Sequence, residues 1–298
     1  MSASEYKQCT LCPRKCKADR SQTVGFCGMG DKIIAAKAMF HTAEEPCISG
    51  TRGSGAIFFS GCVLHCAFCQ NHDISHGRFG MEITPQRLGQ IILSLQSSGV
   101  HNINLVSGTQ FYPSILHSID AISDLISVPV IWNTGGYETP EAIERLSRYC
   151  SVFLQDVKFC SQEVSRKYSS SGDYFYHAVK ATELMLEKAG DVRFDSDGMI
   201  QSGVIVRHLV LPSNRKDSIE LLRRLKDAFG TKGYMLSLMS QYTPPAIDCG
   251  YPELGRRITS FEYQSVCDVA LELGFDGYFQ DKISAQSVYT PTFDLQGL

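Results

Sequence analysis

Short apolar runs and helix-spaced apolar residues take turns along most of this chain. The run Ala56-Ile-Phe-Phe59 predicts a buried strand. Thr84-Pro85 predicts a helix start, with threonine as the cap and proline in the first turn. Leu88, Ile91, Ile92 and Leu95 then recur at helical spacing. Residues 102–106 predict a second strand, and Ile115, Ile119 and Ile122 a second helix. Further strands are expected at 128–132, 152–154, 204–211 and 234–239, and further helices after Thr139-Pro140, over 178–188 and over 219–229. Thr259-Ser-Phe-Glu262 reads as a capping box opening a helix through Val266 and Ala270. Six strand-then-helix units in series predict an α/β fold with a parallel sheet and outer helices, either a closed barrel or a partial one.

The first fifty residues break this pattern. Cys9, Cys12, Cys16 and Cys27 fall within nineteen residues of loop-like sequence. Ile33-Ile-Ala-Ala36 and Ala38-Met-Phe40 could be short strands, and Gly50-Thr-Arg-Gly-Ser-Gly55 is a flexible approach to the main domain. The expected division is a cysteine-rich N-terminal module over 1–50 and a core domain with a C-terminal extension over 51–298. A chain of 298 residues, 43% hydrophobic and 20% charged, is long enough for both. Its net charge is −3 with the signs interspersed, so nucleic acid is not an expected partner. No apolar stretch approaches the ~18 residues of a membrane span. The N-terminus lacks the apolar core of a secretory signal. Twelve cysteines in such a chain point to metal binding in a reducing cytoplasm rather than to disulfides.

The sharpest chemistry is Ser60-Gly-Cys-Val-Leu-His-Cys-Ala-Phe-Cys-Gln-Asn71, just after the first strand. Cys62, Cys66 and Cys69 are spaced to hold an iron–sulfur cluster, and no fourth cysteine lies nearby, which leaves one iron open for a ligand. A zinc knot would ask for four ligands. In parallel α/β folds ligands sit at the C-terminal strand ends. There the chain carries Ser107-Gly-Thr-Gln110, Asn133-Thr-Gly-Gly136, Gln155-Asp-Val-Lys158 and Met239-Ser-Gln-Tyr242. Strand five holds Arg207-His208, of which only one can face inward. Cys9, Cys12, Cys16 and Cys27 fit either a closed zinc site or an auxiliary [4Fe-4S] cluster, with the cluster preferred. Cys47, Cys150, Cys160, Cys249 and Cys267 are isolated and read as structural thiols, with Cys160 the one near the expected pocket. His65 lies inside the cysteine loop, and His41 precedes the Glu44-Glu45 pair as a lid or packing residue.

The cysteine spacing, with Phe68 before the third cysteine, resembles the signature of the radical S-adenosylmethionine (SAM) superfamily. Other runs extend the resemblance over nearly the whole chain. They are Cys-x2-Cys-Pro-Arg-x-Cys at the N-terminus, Glu44-Glu-Pro46, Asn133-Thr-Gly-Gly-Tyr137, Arg207-His-Leu-Val-Leu-Pro212 and Ser237-Leu-Met-Ser-Gln-Tyr242. These look most like the pyruvate formate-lyase activating enzyme-related group, on the glycyl-radical activase side of the superfamily. The resemblance implies a partial (β/α)6 barrel and a [4Fe-4S] cluster whose open iron binds SAM. One electron then cleaves SAM to methionine and a 5′-deoxyadenosyl radical, which abstracts hydrogen from a substrate such as a glycyl-radical enzyme or another protein. It also implies a flavodoxin- or ferredoxin-type electron donor. By similarity Phe68 approaches the adenine. Ser107, Gly108 and Thr109 stand where activases carry a Gly-Gly-Glu-type motif for the SAM amino group, and the glutamate is absent here. Asn133 and Asp156 match pocket motifs, Lys158 partners the SAM carboxylate, and Arg207 and Gln241 complete the expected pocket. Two readings compete: the same chemistry on a small molecule or RNA, and a non-catalytic iron–sulfur electron carrier or metal sensor. A carrier would be smaller and would lack the polar strand ends.

Overall fold

The strand-forming runs meet in one sheet. The computed structural model describes residues 3–245, 249–280 and 291–298. Its strands are β1 (Ile33–His41), β2 (Ser54–Phe59), β3 (Met81–Ile83), β4 (Ile103–Val106), β5 (Val130–Thr134), β6 (Val152–Asp156), β7 (Arg193–Phe194), β8 (Ile200–Leu209), β9 (Met235–Met239) and β10 (Gly277–Phe279). Across the sheet the order is β10-β9-β8-β6-β5-β4-β2-β1-β3, with β7 paired to β8 off that path. From β2 to β10 the pairings along the path are parallel. β1 lies antiparallel to β2, and β3 antiparallel to β1.

The fold is α/β with a mostly parallel sheet, and the six expected strands are β2, β4, β5, β6, β8 and β9. β10 adds a seventh parallel strand, too short at three residues to show a pattern. Residues 33–36 and 38–40 form the single strand β1, bulged between Ala35 and Lys37 and paired along β2. β5 begins at Val130 because Pro129 has no N–H for the ladder.

The helices are α1 (Pro46–Ser49), α2 (His72–Ser75), α3 (Pro85–Ser97), α4 (Tyr112–Asp120), α5 (Pro140–Leu146), α6 (Gln162–Ser169), α7 (Tyr174–Ala189), α8 (Arg215–Phe229) and α9 (Ser260–Leu273). The threonine caps form as predicted. Thr84 accepts from the Arg87 N–H, Thr139 from the Ala142 N–H, and Thr259 with Glu262 makes the reciprocal capping box. Among the described residues no helix is long and apolar enough to cross a membrane.

The period of two along each strand sorts the side chains. Leu105, Trp132, Phe153, Val206 and Leu236 pack with Leu88, Ile115 and Leu221 of the covering helices. On the other face Ile131, Leu154 and Ile205 pack against Cys47 and Ile48 of α1. The Asn102 amide donates to the Ile48 carbonyl at 2.8 Å and accepts from Ser54 at 2.6 Å, so α1 is fastened to the strands it plugs. Two residues further along the same face stand Asn133, Asp156 and Arg207, which makes the next layer polar.

A buried carboxylate ties two of the strand ends together. Glu138 Oε1 accepts from Thr109 and Thr134 hydroxyls, both at 2.6 Å, and from the Trp132 indole N–H at 3.1 Å. Burial raises its pKa. Glu138→Ala would strand these buried donors, at ~1–3 kcal/mol for each one left unsatisfied. We expect urea denaturation to show a loss of roughly 3 kcal/mol or more in Glu138→Ala, and a clearly smaller loss in Glu138→Gln, which keeps a carbonyl acceptor. Wild-type stability in the alanine variant would show that the three donors find other partners.

Candidate active site

The cysteine loop leaves β2 through Gly61, whose φ of +80° suits glycine. A Cβ there would stand 2.4 Å from Met29 Cγ and 2.7 Å from the Cys27 carbonyl oxygen. Glycine therefore lets the loop lie directly against the N-terminal segment. The loop then folds over the C-terminal strand ends, where Cys62, Cys66 and Cys69 line a single cavity of about 230 Å³. Phe68, Ser107, Thr109, Asn133, Asp156, Lys158, Arg207 and Gln241 line the same cavity. Of the expected cofactor-binding residues Gly108 alone is not part of the lining. A Cβ on it would stand 2.8 Å from both Ile115 and Trp132, so it is glycine to let the turn pack on the core.

The three sulfurs suit a cluster. Burial pushes the Cys66 and Cys69 thiols up, and their neighbours among the three cysteines push the same way. The Leu64 N–H points to Cys62 Sγ at 3.4 Å, and the Ser75 hydroxyl to Cys69 Sγ at 3.3 Å. Such donors stabilise a metal-bound thiolate. Three soft ligands around one cavity, with hydrogen-bond donors behind them, fit a cluster with one open iron. Among the described residues no three His, Cys, Asp or Glu side chains converge tightly enough to hold a single metal ion. A cubane asks less convergence, because each cysteine binds a different iron. The Phe68 ring lies 5.8 Å from Phe159, 6.4 Å from Tyr168 and 6.5 Å from Tyr242, in an aromatic wall beside the thiols.

The cavity floor is a charge network centred on Arg207. The guanidinium donates to Asp156 at 2.8 Å, Glu44 at 3.0 Å and the Asn133 side-chain oxygen at 2.7 Å. Lys158 Nζ donates to the other Asp156 oxygen at 2.5 Å. Glu44 also accepts from Asn104 at 3.0 Å and Asn133 at 3.2 Å. Burial opposes the Asp156 charge, but Arg207 and Lys158 outweigh it and hold the carboxyl below its usual range. Burial likewise opposes the Lys158 charge, and Asp156 and Cys66 outweigh it. Burial raises Glu45 next door. Glu44 was legible only as a motif residue before Pro46; nothing local in the sequence marks it as part of the floor.

His208 faces the other way from Arg207. Its ring bonds the Val157 carbonyl at 2.7 Å and Ser218 at 2.9 Å, and burial lowers its pKa, so it packs as a neutral ring between sheet and α8. Burial, with help from His76, Arg14 and Arg78, brings His65 down to about 4. His41 lines the cavity, and burial lowers it too. Cys160 lies 3.3 Å from an Asp217 oxygen, and burial with that carboxylate pushes its thiol up to about 12, the value of an inert group. Cys47, Cys150 and Cys267 are buried, and Cys249 is half-buried. Gln110 spends its side-chain amide on the carbonyls of Ser60 and Ser107, both at 2.8 Å, and so pins the turn after β4 to the cysteine loop.

The four N-terminal cysteines are neighbours. A Cβ on Gly25 would stand 3.4 Å from Cys16 Sγ and 3.5 Å from Cys27 Sγ. Burial raises the Cys16 thiol, but hydrogen bonds from the Ala18 and Phe26 backbone and the Cys9 side chain outweigh it and leave Cys16 below its ordinary value. Burial pushes Cys12 up to about 12 and raises Cys27. Arg20 is buried beneath them. It donates to Gln110 O at 2.8 Å and Met29 O at 3.0 Å and approaches Cys9 Sγ at 3.6 Å.

Comparisons with known proteins bear on the family and the fold. The protein is 28% identical over 285 residues to the uncharacterized protein MJ0674 of Methanocaldococcus jannaschii, covering 91% of this chain and 76% of that one. Its fold is similar to that of SuiB of Streptococcus suis bound to precursor peptide SuiA, with a TM-score of 0.50, 13% identity, and coverage of 75% of this chain and 48% of SuiB. The chain thus spans about half the length of SuiB. Methylornithine synthase matches with a TM-score of 0.49 and 14% identity over 76% of this chain and 60% of its own. The family model for the radical SAM superfamily matches residues 56–225, from the first parallel strand through the cysteine loop, Lys158 and Arg207, and the chain belongs to that superfamily of enzymes.

Proposed function

We propose that this radical SAM enzyme is of the glycyl-radical activase type and takes its hydrogen atom from a protein segment presented at the cavity mouth. One observation supports the protein substrate above the others. The cavity measures about 230 Å³. The cluster and SAM must share it, and a small-molecule site alone usually takes ~300–1,000 Å³, so no enclosed room is left for a second small molecule. Here the walls are already given to three thiols, Lys158 and the charge network. Lys158 and Phe68 would hold SAM there, and the reacting carbon of the substrate would come to the rim from outside.

When bound, the cluster and SAM together supply one-electron cleavage of SAM and hydrogen-atom abstraction. Cys62, Cys66 and Cys69 hold the cluster. Lys158 uses one ammonium proton on Asp156 and keeps the others for the SAM carboxylate. Thr109 has its hydroxyl committed to Glu138, so its side chain does not replace the missing glutamate. Phe68 and the rings behind it keep water from the adenine side. The N-terminal cysteines hold a second [4Fe-4S] cluster, supported by an exposed Cys16 and by their contact with the cysteine loop. The electron comes from a flavodoxin- or ferredoxin-type donor in the cytoplasm.

Three measurements test this. Anaerobically reconstituted Cys66→Ala, given SAM and dithionite, is expected to form no 5′-deoxyadenosine; product at the wild-type rate would refute the cluster assignment. Lys158→Met leaves Asp156 paired with Arg207, so the fold should hold. A charge-assisted contact contributes ~1.5–3 kcal/mol, so SAM binding by equilibrium dialysis should weaken roughly ten- to a hundredfold. An unchanged affinity would place the SAM carboxylate elsewhere. For the substrate, incubation with a glycine-Cα-deuterated partner protein should carry deuterium into 5′-deoxyadenosine. Deuterium arriving only from a labelled small molecule would favour the metabolite reading.

A further inference from the structure

The substrate needs the cavity mouth, so the electron needs another way in. The N-terminal cysteines meet the cysteine loop without lining the cavity themselves. The Cys27 carbonyl sits against Gly61, the residue before Cys62. His65, the residue before Cys66, lies beside the Cys27 backbone. The Phe26 ring stacks on His65 at 5.1 Å, and His65 lies 4.8 Å from His76. Ser75 then bridges from His76 at 2.8 Å to Cys69 Sγ at 3.3 Å. The two cysteine sites are thus joined by direct contact at three points.

The outer surface around the same module carries cations without an ion-pair partner among the described residues. Of its four cysteines only Cys16 is exposed. Lys15 and Lys17 flank it and are exposed. Arg78 is exposed beside Cys27, with its Nε 2.9 Å from where a Cβ on Gly28 would stand. Among the described residues no carboxylate forms an ion pair with Lys15, Lys17 or Arg78. The carboxylate in the same loop, Asp19, is turned onto Ser21. Phe26 and Val24 of the same segment are 39% and 43% exposed, and the Arg14 guanidinium lies 4.0 Å from the Phe26 ring. The whole chain carries −3, so this basic face runs against its overall balance. Exposed apolar side chains with unpaired cations in the same region suit a transient partner of opposite charge.

We propose that an acidic one-electron carrier protein docks on Lys15, Lys17 and Arg78 around Cys16, and that the electron reaches the cavity through the N-terminal site. The carrier loses one electron, the cluster at Cys62, Cys66 and Cys69 gains it, and the N-terminal cluster returns to its starting state. This rests on the reading that the four N-terminal cysteines hold a cluster.

The test uses the full chain with both sites loaded. Reduction is followed by stopped-flow absorbance, with reduced flavodoxin as the carrier and titanium(III) citrate as a small reductant. Lys15→Glu/Lys17→Glu/Arg78→Glu should slow reduction by flavodoxin roughly tenfold or more at low salt and abolish its salt dependence. Titanium(III) citrate should reduce both proteins at equal rates. An unchanged rate with flavodoxin would overturn the docking site. Iron analysis of the Cys62→Ala/Cys66→Ala/Cys69→Ala protein checks the underlying reading separately, with about four irons per chain expected from one remaining cluster. Zinc or no metal there would overturn the relay, whatever the charge reversal does.

Discussion

The Arg207 guanidinium joins parts of the chain that lie far apart in sequence. From β8 it reaches Asp156 at the end of β6, Asn133 in β5 and Glu44, which precedes the plug α1. A buried cation is tolerable only when its donors are satisfied and its charge is met, and breaking such a set leaves unpaired charges behind. The parallel strands must therefore be in register, and α1 must be seated, before Arg207 is satisfied. The floor of the cavity and the seating of the plug are one and the same constraint.

That network also decides what the cavity has left to offer. Asp156 is shared between Arg207 and Lys158, and Glu44 is held by Arg207, Asn104 and Asn133. Most of the floor's charge is thus compensated internally. The groups with unspent capacity are the Lys158 ammonium and the three thiols. Burial raises the Cys66 and Cys69 thiols, so their deprotonation is coupled to the metal that takes up the charge. The site is prepared for its cofactors by this division: compensated charges below, ligands still in demand above.

The N-terminal segment takes part in the same core. Tyr6, Cys9, Leu11 and Met29 belong to the hydrophobic cluster that includes Phe59 and Phe111. Buried Arg20 bonds Gln110, whose amide in turn holds the cysteine loop and the turn after β4. A disturbance at the four N-terminal cysteines would therefore reach the cavity through contacts such as Arg20 to Gln110 and Cys27 to Gly61.

What the sequence determined by itself was whatever its local spacing encodes. The strand and helix periods, the threonine caps and the Cys-x3-Cys-x2-Cys loop are all written within a few residues, because backbone geometry repeats over two or 3.6 positions. The strand-end rule then brought Ser107, Asn133, Asp156 and Lys158 to the cavity that the three cysteines line. Only the tertiary structure decided which way the side chains were spent. It turned Arg207 inward and His208 onto α8, placed Glu44 in the floor from a position 163 residues away, and gave the Thr109 hydroxyl to Glu138. Those choices are made by charges and buried donors that meet only once the sheet is assembled, and no local spacing records them.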